Sequence, residues 1–444
     1  MANRSWIGAS ANVKQQSTIT MAGTGDWVTG DTVVATIANV SFTVTIGTLV
    51  TDAQVATTVQ QALSGTTLTD TSASCTIAVA DGGASLIPQF SEFTATVSSA
   101  VVTLAANGSS PAALAGKPFT ITITESTTGD ETATGATSVT ATSQWHWDQT
   151  DNWSGNTVPV DNDTVTFDSG SVDLRYALSA AMQPLIVIKS KKYTGNVGLA
   201  FTNIDNSNKP YSEYRTPRYL TFDDNSVTCV YHLETGEGPG SGRFMVDAGA
   251  GQSTVNIYGK GARADTGTPC ILFLGAHASN VVNNLGGDLG VAIYAGETAT
   301  IATLRTGDGP SSQASTICSS GVTLTTVVMN GGYLSTDSAI TTATQNAGVW
   351  QHTTGTVTAA TINGGQCFPL GGATWTTLTI GSGGEFNTSR GTATFAITNT
   401  IQMYRGSKLI DPAGRAGNVV VKLNKCALSD VTIQLATDKT YTLS

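Results

Sequence analysis

Apolar and polar residues alternate in short bursts along most of this chain, the period of a half-buried strand. In the first third the bursts fall at 18–21, 32–37 and 41–46, then at 75–79, 93–97, 101–105 and 119–124. Thr, Val and Ile dominate them, and these residues suit a pleated surface. Asn39 marks the turn between the second and third bursts. One segment has the helical period instead. Val55, Val59 and Leu63 share a face over 52–63, Thr51 and Gln54 have capping-box spacing, and Gly65 follows as a left-handed cap. The stretch 126–142 reads as a last strand grading into a linker. Residues 1–16 form an arm whose large apolar groups are Trp6 and Ile7, candidate anchoring or interface residues. The expected first unit is thus a β-rich domain over 17–142, with its helix laid on a sheet.

The pattern changes at Trp145, where aromatics cluster as Trp145, Trp147 and Trp153 before a strand at 164–167. Such a segment can cap the end of a stacked core. Beyond it the chain repeats. Four pieces beginning at Thr323, Ala339, Thr356 and Thr374 each run from a Thr/Val/Ile strand through an Asn/Gly turn into a second short strand. Asn330, Asn346 and Asn363 recur at spacings near 17, a period that with strands and no helix predicts a β-solenoid. Gly and Asn are assigned the positive-φ corners. The expected class is mainly all-β: an N-terminal β-rich domain with one helix, then a parallel β-helix over 143–444, less regular and loop-containing over 190–290. Loops are placed at 207–217 and 234–242. A series of antiparallel sandwiches is the rival fold, because Asn-Gly hairpins have a similar local texture.

Composition agrees. Of 444 residues only 12% are charged, while Gly alone supplies 48. Like charges stacked about 4.8 Å apart would repel down a solenoid column, and no Lys occurs between Lys260 and Lys408. Net charge is −10 and lacks the basic footprint of nucleic-acid binding. The one short basic stretch, 189–192, reads as a solvated strand end. Cys75, Cys229, Cys270, Cys318, Cys367 and Cys426 are too dispersed for zinc or a disulfide framework and are expected reduced and buried. With no secretory h-region and no membrane-length apolar run, folding in a cytosol is expected.

Candidate chemistry is sparse. His146, His232, His277 and His352 lack a second His at helical or strand spacing, and His146 between two tryptophans reads as packed. Asp223 and Asp224 would point to opposite faces of a strand. Asp161 and Asp163 read as turn caps, and Glu234 and Glu237 lie in a Gly-rich loop. Between 290 and 400 the acids are Glu297, Asp308, Asp337 and Glu385, out of register with the repeats. Glycoside cleavage needs two facing carboxylates. Tyr333, Trp350 and Phe386 make a weak aromatic stripe, for which column packing is the better reading. Nucleotide-binding, hydrolase-elbow and zincin motifs are missing, so no enzyme, cofactor or metal is expected.

The stretch from 4–8 (Arg-Ser-Trp-Ile-Gly) to 51–57 (Thr-Asp-Ala-Gln-Val-Ala-Thr) resembles modules of predicted virion proteins of tailed bacteriophages and related bacterial proteins. The segment 147–155, reading Trp-Asp-Gln-Thr-Asp-Asn-Trp-Ser-Gly, with Pro159 and Asp163, is similar to the lead-in of β-solenoid surface and virion proteins. The resemblance covers about a third of the chain. It implies a virion structural protein assembled in the host cytoplasm, a capsid decoration (cement) protein or a head fibre. It also implies a homotrimer that binds the major capsid protein or another virion protein, and no nucleic acid or membrane. The alternative is a tailspike-like polysaccharide depolymerase or an adhesin that binds a host-surface glycan.

Overall fold

A computed structural model describes residues 2–37, 40–64, 75–79, 93–106, 116–199, 218–222, 227–235, 242–259 and 269–444. Asn39, Gly65, Asp223, Asp224, Glu237, the loop at 207–217 and part of that at 234–242 lie outside these residues.

Alternation becomes sheet in the first unit. Thr32–Ile37 buries Val33, Ala35 and Ile37 and leaves the intervening residues half-exposed. It lies between Val40–Ile46 and Ile121–Ser126 in an antiparallel sheet whose far edge is Cys75–Val79. A second antiparallel sheet runs in the order Phe93–Ser98, Val101–Ala106, Gln16–Ala22, Thr132–Val139. The stretch expected to grade into a linker thus supplies a full strand beside the first one. The helix Asp52–Ser64 buries Val55, Val59 and Leu63 in the core that both sheets share. Its capping box is half formed. The Gln54 Oε1 accepts the Thr51 N–H at 2.9 Å, but the Thr51 hydroxyl donates to that same oxygen rather than accepting from the helix.

The second architecture is wholly parallel. One sheet stacks Thr164–Phe167, Ile186–Lys189 and Cys229–Thr235 and continues rung by rung to Tyr441–Leu443; the other stacks Ser179–Ala180 through Thr432–Leu435. Each rung contributes one strand to each sheet, so this part of the chain is a β-solenoid and the antiparallel rival fails here. Identical register carries the core from rung to rung. Ile301, Leu324, Ile340, Val357 and Trp375 form one inward column. Leu334, Trp350, Cys367, Phe386 and Leu409 form another. Ala343 and Trp350 occupy the same rung, a small residue offsetting a large one.

Within the longer strands the inward–outward alternation slips by one. Thr325-Thr326, Thr341-Thr342 and Thr376-Thr377 are consecutive outward pairs between buried neighbours. The strand turns a corner at each pair, and the long sheet therefore presents two outer faces.

The aromatic cluster seals the first rung. Trp153 is fully buried, edge-on to Trp6 at 5.1 Å and to Trp147 at 4.7 Å, and its indole N–H donates to the Trp147 carbonyl. Trp145 sits half-buried with the Arg175 guanidinium 5.5 Å over its ring, outside that cluster. The arm is not loose. Asn3–Ser5 adds to the long sheet beside Thr164–Phe167, and the Asp163 carboxylate accepts from the Ala2 amide at 2.6 Å and from Arg4 Nε at 3.4 Å. Burial works to raise the Asp163 carboxyl. Hydrogen bonds from the Ala2 and Val160 amides and from Arg4 outweigh it and hold the group below the usual carboxylate range.

Trp153 is the keystone of this cap. Trp153→Ala should lower unfolding stability by about 3–5 kcal/mol, read as a lower urea midpoint; an unchanged midpoint would show that the cap does not hold the first rung.

Candidate binding sites on the solenoid

Trp6 is spent inside the cap, 4% exposed with its indole N–H on the Val172 carbonyl, so it cannot reach a partner. Of the two arm residues only Ile7, 49% exposed, remains at the surface. Asn330, Asn346 and Asn363 do stand together at the repeat turns. The Asn346 amide donates to Asn330 Oδ1 at 2.9 Å, and the Asn363 amide to Asn346 Oδ1 at 3.0 Å. They are not the left-handed residues. That task falls to Gly332, Gly348 and Gly365, at φ of 75°, 84° and 76°. A second ladder, missed because its spacing is wider, runs from Asn256 through Asn283 to Arg305.

The stripe of Tyr333, Trp350 and Phe386 dissolves. Trp350 and Phe386 share a buried column, while Tyr333 is paired with Val349, half-exposed, its hydroxyl on Gln351 Oε1 at 2.7 Å. The carboxylates are similarly dispersed. Asp161 accepts the Gln183 amide, Glu234 that of Lys191 and Glu297 that of Tyr294. Asp337 takes the Thr354 hydroxyl, and Glu385 takes the Gln366 and Asn387 amides. Burial raises the Glu297 carboxyl, with the nearby Asp247 charge adding to the effect. Tyr219 lies beside it, a neighbour brought from a distant rung that no local motif announces.

Among the described residues no group of His, Cys, Asp and Glu could hold a metal ion, and no helix is long and apolar enough to cross a membrane. None of the six cysteines is in a disulfide, and all but Cys426 are buried. Burial pushes the Cys229 and Cys318 thiols up to about 12, which keeps them protonated and unreactive.

Polar side chains also occupy the interior. Asn284 donates to the Gly287 and Ser315 carbonyls, and Gln345 to those of Gly348 and Gln366, pinning the turn between the two sheets. His352 is fully buried: Nδ1 lies 2.8 Å from the Thr336 hydroxyl, which accepts the Trp350 indole N–H, and Nε2 lies 3.2 Å from the Gly355 carbonyl. The Gly355 carbonyl can only accept, so Nε2 carries a proton. Burial lowers its pKa. His146 is also buried, against Tyr176, with Nε2 2.6 Å from the Gly116 carbonyl.

Lys189 corrects the expectation of a solvated basic strand end. Its register aligns it with Phe167 and Leu233 in an inward column, and it is fully buried. Nζ donates to the Tyr193 and Glu234 carbonyls at 3.3 and 3.2 Å. Burial lowers its pKa to about 8, against opposing pulls from Cys270 and Glu234.

Two surface features remain. The first is a wall on the two outer faces of the long sheet. Thr303, Thr326, Thr342, Ala359 and Thr377 form one outward column, with Thr325, Thr341, Thr358 and Thr376 beside it. In the five long-sheet strands from Ala299–Thr306 to Thr374–Ile380 only Arg305 is charged. The second is an open cleft of about 340 Å³ between Tyr258, the Leu285-Gly286 turn and the segment 308–313.

The chain matches no protein-family model, no curated protein and no solved structure.

The two buried bases titrate with opposite consequences. Unfolded His352 would protonate near 6.5, above its folded value. Stability is thus unaffected above that pH and falls as pH drops below it. His352→Gln should lose this component of the drop in urea midpoint between pH 7 and 5; an identical pH profile would refute the assignment. Lys189 has its folded pKa near 8 against 10.5 unfolded, so the wild-type chain gains stability as pH rises across that window, on the order of 3 kcal/mol in total. The unfolding free energy of wild type minus that of Lys189→Met should therefore rise as pH is raised from 7 to 10, measured by denaturant unfolding at each pH. A constant difference would mean Lys189 is not buried as a cation.

Proposed function

We propose that this chain is a structural component of a phage particle, a capsid decoration or head-fibre protein, and not an enzyme. The observation that carries the reading is the threonine wall. A surface that is regular and almost free of charge suits packing against the wall of another copy, because bringing two copies together there strips few charges of water. Threonine methyls supply apolar contact and the hydroxyls satisfy one another. The assembly proposed is a homotrimer in which one outer face of the wall meets the other face of the next copy, with the sandwich unit or Ile7 meeting the capsid protein. The likeness of the lead-in segment 147–155 to those of virion solenoids supports the same assignment. Asp161, Glu234, Glu297, Asp337 and Glu385, each engaged in its own turn or rung, favour scaffold over catalyst.

Sedimentation should give a trimer mass for the purified chain. Thr341→Arg, a single charge at the middle of the wall, should shift it to monomer while leaving the circular dichroism spectrum unchanged. A wild-type monomer that also fails to co-sediment with phage particles would overturn the proposal.

A further inference from the structure

From the cleft beside Tyr258, we infer a second property independent of the particle role: the solenoid carries a binding site for a short neutral saccharide. Tyr258 ends the strand Ser253–Gly259 on its outer side and is 37% exposed. Its ring is braced from behind by His232 on the preceding rung, nearly parallel at 14° with centroids 6.4 Å apart. A braced, outward aromatic ring offers a flat apolar face to the C–H face of a sugar. The floor is bare backbone. Gly259 has φ of 103°, and a Cβ on Gly286 would lie 2.3 Å from the Gly259 carbonyl. Any larger residue would disturb the stack, so the sugar can approach the main chain.

The opposite wall supplies hydrogen-bonding groups of both senses. Ser311, Ser312 and Gln313 line it, and the Ser312 hydroxyl is held toward the Leu285 carbonyl at 3.3 Å. Asp308 contributes the carboxylate of the lining. A ring platform facing hydroxyls, an amide and one carboxylate is the chemistry that selects a polyol over an ion. Among the described residues the lining holds no Lys or Arg, which disfavours anionic sugars. Among the described residues the lining supplies one carboxylate, Asp308, where cleavage uses a pair, so the proposal is one of binding. The cleft's volume of about 340 Å³ suits one or two sugar units at the low end of the pocket range.

The test uses the full chain and a panel of neutral mono- and disaccharides of glucose, galactose, mannose and N-acetylglucosamine, with sialic acid and glucuronic acid as charged controls. Saturation-transfer NMR and calorimetric titration should give saturable binding to at least one neutral member and none to the acids. Tyr258→Ala should weaken it at least about tenfold, and Gln313→Ala should weaken it too, with unchanged thermal midpoints. Binding that survives Tyr258→Ala, preference for the acidic sugars, or no saturable binding to any neutral member would overturn the inference. Thr341 lies two rungs beyond the last one that lines the cleft, so Thr341→Arg should leave sugar binding intact, which separates failure of this site from failure of the assembly reading.

Discussion

Every residue of a parallel stack meets its counterpart about 4.8 Å above and below, and that constraint shapes most of this molecule. A charge placed in a column faces another of its kind unless its neighbours differ. A hydroxyl or an amide can instead donate one way and accept the other. The chain answers with threonine on the flat outer faces and asparagine at the corner, where Asn330, Asn346 and Asn363 pass hydrogen bonds along the stack. The interior obeys the same rule with volume in place of charge, as in the column that carries Trp350, Cys367 and Phe386.

Where the interior breaks its apolar rule, the exceptions have tasks. Asn284 and Gln345 spend their donors on carbonyls of the adjoining turn, which would otherwise be left without partners inside. His352 ties Thr336 and Trp350 to the Gly355 turn. Lys189 joins two carbonyls beside the less regular rungs. Each fixes a corner whose geometry side-chain packing alone would leave loose.

Much of the fold was legible because local pattern and global register coincide. The 16- to 17-residue spacing of the asparagines is the rung itself, and the strand at 164–167 and the helix from Asp52 were readable from period alone. What stayed hidden depends on partners far away in sequence. Nothing near Trp6 says that it belongs between Trp153 and Phe167. Nothing in the run at 189–192 distinguishes its buried lysine from its exposed ones; only the register with Leu233 does. The candidate cleft was illegible for the same reason, since Tyr258, Gly286 and Gln313 come from three successive rungs and share no motif.

The strand Asn3–Ser5 has a wider consequence. Its partners at Thr164–Phe167 follow the whole sandwich unit in sequence, with Ala2 and Asp163 joined across 161 positions. The sandwich leaves the solenoid cap by one strand and returns to it by another. Topologically it is an insertion with two attached ends, not a bead on a string. A body held by two neighbouring legs resists the free swivel that a single linker would allow, so a force on one part is handed to the other as torque as well as tension. Synthesis inherits the same order, since the first rung of the long sheet can close on its outer strand only after the entire sandwich has been made.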